Sequence, residues 1–133
     1  MPAQAQFIFA LLAVFQIKHF LGDYVLQTAW MVNGKAEPWP KFLLPLSVHV
    51  LAHTALTLAI VCVVDARFWY LALVDFAAHF VMDRVKSNPA LLGRFNDPQK
   101  SSFWIPMGLD QMVHHFTHYF IIWRLYAERF AGA

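Results

Sequence analysis

The sequence predicts an all-α protein, a single domain over residues 1–133 built as an integral membrane four-helix transmembrane bundle with a polar His/Asp core. Three observations predict it. The composition is 59% hydrophobic and 17% aromatic against 14% charged, an apolar excess too large for the surface of a soluble domain of this length. Four segments, at about 7–31, 42–64, 68–85 and 103–126, approach the roughly 20 apolar residues that a membrane-crossing helix needs. Inside each segment histidines and aspartates recur at intervals of four, the spacing that places side chains on one helix face.

The first segment has no basic region ahead of its apolar run, so it reads as a retained helix rather than a signal peptide. It continues through Lys18, His19 and Asp23 to about Trp30, and Asn33, Gly34, Pro38 and Pro40 punctuate the chain after it. The second carries Pro45 near its start, where a missing amide proton is tolerated, and ends at a tight turn marked by Asp65 and Arg67. The third is the shortest. A longer loop over 88–102, with Gly93 and two prolines, leads to the fourth, which has Pro106 near its start. Trp30, Trp69, Trp104 and Trp123 fall at or near span ends, the headgroup level that indole prefers. The side holding the first and third loops carries Lys35, Lys41, Arg84, Lys86, Arg94 and Lys100, and the other side Arg67, Arg124 and Arg129. The positive-inside rule then places both termini outside and loops 1–2 and 3–4 in the cytoplasm. A net charge of +2 gives no argument for a nucleic-acid partner, and the single cysteine, Cys62, excludes an intrachain disulfide.

Against this apolar background the polar residues stand out: His19 and Asp23; His49 and His53; Asp75, His79 and Asp83; Asp110, His114 and His118. If the helices alternate in direction and rise about 1.5 Å per residue, His19, His53, His79 and His114 fall within roughly 3 Å of one plane. Asp23, His49, Asp83 and Asp110 fall roughly 6 to 9 Å nearer the cytoplasmic side by the same arithmetic. A charged carboxylate at the bilayer centre costs about 2.5 to 3.5 kcal/mol, and a divalent cation held by aspartates and neutral imidazoles removes that charge. The expected metal ligands are therefore His19, Asp23, His49, His53, His79, Asp83, Asp110 and His114, for one or two ions. Mixed nitrogen and oxygen ligation favours zinc, then iron or manganese. His115 points about 100° from His114 and reads as helix glue; for His118 the spacing leaves both roles open.

The chemistry expected of such a site is metal-dependent hydrolysis of a lipid or lipid-linked substrate, which reaches this depth most easily from the bilayer. A bound ion would bring the pKa of water toward neutrality. Asp23 or Asp75 would serve as general base, and Lys18 would stabilise developing negative charge. Arg84 and Lys86, beside the carboxylate layer, would receive a phosphate from a lipid headgroup. Two other functions fit the same residues: a di-iron lipid hydroxylase or desaturase, and a metal or proton transporter using the layers as a path. The substrate and the oligomeric state, homo-oligomer included, stay open. No GxSxG elbow, P-loop or dinucleotide fingerprint is present.

Taken together, the segments KHFLGDYVLQ (18–27), HVLAH (49–53), DFAAHFVMDRVK (75–86) and DQMVH (110–114) resemble a bacterial and phage family of small four-helix membrane proteins of unknown function. That resemblance covers nearly the whole chain and implies a multi-pass protein of the bacterial inner (cytoplasmic) membrane. A looser similarity, in His and Asp pairs spread over short helices, is to the membrane-bound metal-dependent hydrolases; it implies hydrolysis, although their HRxxTHS-type element is absent. The same eight His and Asp residues are the positions to which that likeness carries a metal.

Overall fold

In the computed structural model, which describes residues 1–131, every regular element is helical. Helix α1 (Ala3–Phe20) turns its stripe of Leu11, Phe15, Lys18 and His19 inward and runs into a π turn at Leu21–Val25. The expected continuous helix to residue 31 is corrected here, because the chain breaks at 26–28. Thr28 adopts extended backbone, and its hydroxyl accepts from the Met31 amide, which starts a separate short helix, α2 (Ala29–Gly34). The Gln27 side chain donates to the Asp23 carbonyl that the π turn leaves free.

Helix α3 (Leu43–Asp65) ends in a 3-10 turn at Ala66–Phe68, where the Asp65 carboxylate accepts from the Arg67 amide. Helix α4 (Leu71–Ser87) follows at once, and α5 (Ser101–Arg129) comes after the loop. Because α5 starts earlier than its apolar run, Pro106 lies inside the helix rather than in its first turn. Helix α4 packs against both α3 and α5, and α1 also touches α3 and α5, so the four long helices close a ring. Helix α2 lies on α3, with Gly34 so close to the Pro45 ring that a methyl group would overlap it.

Polarity is distributed inside out. Ile17, Phe20, Val63, Val81, Ile105 and Phe116 are more than half exposed, whereas six of the seven histidines are buried together with Lys18, Lys35, Thr57, Asp75, Asp83 and Asp110. Two helices are long and apolar enough to cross a membrane, Ala3–Val25 and Leu43–Phe68. Helix α4 has only 17 residues and includes Asp75, His79, Asp83, Arg84 and Lys86. In α5, Asp110 and three histidines lower the hydropathy although most of them face inward.

The end of the ring that carries the start of α1 is filled by an apolar cluster of Leu11, Phe15, Val61, Phe68, Leu71, Ile121, Ile122 and Leu125. Phe15, 1% exposed, borders the polar interior, its ring 5.0 Å from that of His118. Truncating it leaves a cavity that the surrounding helices cannot fill. Phe15→Ala is expected to destabilise the protein by about 3–5 kcal/mol, read as a lower unfolding temperature of the purified protein in detergent.

Candidate metal centre

The inward stripe of each long helix brings its histidine to one level. The rings of His53 and His79 lie 4.2 Å apart, those of His79 and His114 3.9 Å apart, and that of His19 lies 5.6 to 6.5 Å from the other three. Gly22 makes this approach possible: the His53 ring occupies the space that a side chain at position 22 would need. The π turn carries Gly22 and Asp23 together against α3, a use of π geometry common at functional sites.

Four aspartates enter this layer or border it, and three of them have an ammonium partner. Lys18 meets Asp75 at 2.8 Å, Lys35 meets Asp83 at 2.9 Å, and Lys86 meets Asp110 at 2.6 Å. Buried charge is tolerated only when paired and hydrogen-bonded, and these lysines meet that requirement. Burial pushes the Lys35 ammonium below its ordinary pKa, against the opposing pull of Asp83. Gln27 adds a second acceptor to Lys35 at 2.6 Å.

Asp23 is different. Among the described residues no lysine or arginine lies within ion-pair distance of it; its neighbours are three imidazoles. His53 Nε2 is 3.1 Å and His49 Nε2 3.4 Å from Oδ1, and His19 Nε2 is 3.2 Å from Oδ2. The His53 contact is a hydrogen bond, and the ligand atoms of Asp23, His49 and His53 all lie within 4.8 Å of one another, close enough for small side-chain movements to bring them onto one ion of the zinc class. His49 Nε2 is buried and makes no aligned hydrogen bond, although Asp83 is 3.1 Å away and Asp23 close by. Both ring nitrogens of His114 and Oδ1 of Asp110 are likewise buried without a partner. Such orphaned atoms call for a ligand or a cation.

Four groups have ligand atoms within 4.8 Å of one another: His19, Asp23, His114; Asp23, His49, His53; Asp75, His79, His118; and Asp83, Asp110, His114. All eight expected ligands occur in them, and the structure adds Asp75 and His118. The other expected roles sort differently. Asp75 and Lys18 are engaged with each other, and Thr57 donates to the same Asp75 oxygen at 2.7 Å, so of the two candidate bases Asp23 is the one open to the surface, its side chain 16% exposed. Arg84 donates to the carbonyls of Lys35 and Glu37 and stacks on Phe42 at 3.7 Å. It clamps the first loop. Lys86 pairs with Asp110 yet also lines an open cleft of about 510 Å³ between α2, the loop after α4 and the start of α5. His115 bonds Gln16 at the surface.

Sequence reasoning missed Lys35, Thr57, Gln111 and Gly22. Thr57 had a signal, since 49, 53 and 57 continue one stripe; Lys35 had none, because it lies beyond the helices. The Gln111 amide donates to Asp110, and its carbonyl oxygen accepts from His19 Nε2 at 2.8 Å.

These features define a class: an all-α protein that packs imidazoles and carboxylates of metal-ligand type into its interior and presents apolar side chains outward. The chain belongs to the family described as Protein of unknown function (DUF3307), which matches residues 11–131 and so includes every residue of the cluster. No curated protein and no solved structure matches it.

Gly22→Ala adds a methyl against His53 in a helical backbone that alanine would otherwise favour. A lower unfolding temperature, with broadened or shifted His53 ring signals in NMR spectra, is the expected outcome. Lys35→Met leaves Asp83 without its cation and is expected to cost about 3–5 kcal/mol; the double variant Lys35→Met/Asp83→Asn recovers most of that loss in the same unfolding assay.

Proposed function

We propose that this protein is a metal-dependent hydrolase of the bacterial inner membrane, a four-helix transmembrane bundle acting on a lipid or lipid-linked substrate at a zinc-type centre formed by Asp23, His49 and His53. The observation that carries this reading is the surround of Asp23: a largely buried carboxylate that meets three imidazoles and no ammonium, where its three counterparts each have a lysine. A divalent ion supplies the charge that this position lacks.

An ion bound there contributes Lewis acidity, activating water and polarising an acyl or phosphoryl group. The chain's own residues do the rest. Asp23 Oδ1 faces His49 and His53, while Oδ2 faces His19, so Oδ2, with His19 beside it, takes the proton of the attacking water. The water oxygen bonds to the acyl carbon or phosphorus, the bond to the leaving oxygen or nitrogen breaks, and the proton held at Oδ2 passes to the leaving atom. Gln111 holds the His19 ring at 2.8 Å. The apolar exterior supports a substrate delivered from lipid, and Lys86, at the cleft and 30% exposed in its side chain, is the cation placed to meet an anionic group.

A transporter or relay needs polar groups through the whole thickness of the bundle. Below Thr57, Asp75 and His118 the interior is the apolar cluster around Phe15, Val61 and Ile121, which favours a one-sided site. The ligands' place in the middle of the bundle, rather than in longer sets of histidine boxes at the membrane edge, favours hydrolysis over a di-iron lipid hydroxylase. For orientation, the loops with Lys41, Arg94 and Lys100 face the cytoplasm.

Elemental analysis of detergent-purified protein tests this reading. Wild type is expected to hold zinc in stoichiometric amount and to cleave a lipid in a panel of phospholipid and lipid-linked substrates. Asp23→Asn and His53→Ala are each expected to weaken zinc binding by about tenfold or more and to abolish cleavage. A wild-type protein that binds no divalent metal, or whose cleavage survives complete chelation, would overturn it.

A further inference from the structure

One His/Asp group is already filled by the chain itself. Lys18 Nζ lies 2.8 Å from Asp75 Oδ2, 3.1 Å from His118 Nε2 and 3.4 Å from His79 Nε2. All four side chains are 2% exposed or less. An ammonium has three protons to donate and no lone pair, so it meets these three atoms as acceptors. With the ammonium donating, both imidazoles present a lone pair at Nε2, the form that ligates metals.

The second carboxylate oxygen sharpens the point. Asp75 Oδ1 has no hydrogen-bond partner and lies 3.3 Å from His79 Nε2 and 3.5 Å from His118 Nε2. Three lone-pair-bearing atoms converge there at the spacing that donors adopt around a tetrahedral ion of the zinc class. Lone pairs facing one another in a buried space repel, and a cation among them relieves all three at once. Thr57, donating to Oδ2 at 2.7 Å, holds the carboxylate in this orientation, and Phe15 covers His118 from the apolar side.

We infer that Asp75, His79 and His118 form a second cation site, separate from the Asp23 centre, which Lys18 occupies with its own ammonium and which binds a divalent ion of the zinc or cobalt class when that ammonium is removed. Lys18 is thereby a tethered competitor. It confines metal to the ligand set that has no lysine, and it keeps this deeper set charge-balanced without one.

The test is cobalt and zinc binding by purified, chelator-treated protein in detergent, comparing wild type, Lys18→Met and Lys18→Met/His118→Ala. Lys18→Met is expected to bind one equivalent more than wild type and to add the visible absorption of tetrahedral cobalt; the double variant loses that equivalent. Equal stoichiometry in wild type and folded Lys18→Met overturns the inference whatever wild type itself binds, whereas a metal-free wild type beside a Lys18→Met protein with one equivalent refutes the Asp23 centre alone. If Lys18→Met does not accumulate, expression in zinc-supplemented medium decides: recovery by zinc supports the second site. Continued failure while Lys18→Met/Asp75→Asn folds overturns it.

Discussion

Four carboxylates in the interior of one small helical ring set the terms for everything around them. A buried ion costs several kcal/mol unless a partner of opposite charge and further hydrogen bonds accompany it. Three aspartates meet this demand with lysines drawn from three parts of the chain: Lys18 from α1, Lys35 from the loop after α2 and Lys86 from the end of α4. The demand therefore shapes the fold. Lys35 reaches Asp83 only because the first loop folds back over the bundle, and Arg84 secures that loop by donating to the carbonyls of Lys35 and Glu37. At the fourth aspartate, Asp23, the same demand falls on imidazoles, and the metal reading follows from that difference.

The periodic part of this arrangement was legible in the sequence. Polar residues four apart on an apolar helix have one face to share, and alternating helix directions bring His19, His53, His79 and His114 to a common level; their rings do lie side by side. What periodicity does not encode is partnership. Lys35, Arg84 and Lys86 counted toward the charge of a cytoplasmic face, yet in the folded chain each is turned to an aspartate or to backbone carbonyls. The break at 26–28 was hidden because Gln27 and Thr28 sit in a run whose apolar character continues to Val32; the local signal was a threonine cap, which a hydropathy reading overlooks. Gly22 carried no visible sign either, since the need for glycine arises from the ring of His53 on another helix.

Polar interior and apolar exterior are parts of one solution. In the membrane setting proposed above, ridges of Phe, Leu, Ile and Val outside would give the helices no hydrophobic reason to associate, and association would rest on packing and polar contacts. The ion pairs and imidazole contacts of the core provide those contacts, while Gly22 and Gly34 let backbone approach His53 and Pro45 closely. In this protein the groups suited to chemistry also hold the helices together, which ties any change in the cluster to a change in stability.

The apolar cluster of Leu11, Phe15, Val61, Phe68, Leu71, Ile121, Ile122 and Leu125 turns the polar interior into a cul-de-sac. Whatever molecule arrives beside Asp23 leaves by the way it came. On the proposed hydrolase reading, a spent substrate would have to withdraw before the next could take its place, so its departure would pace each round.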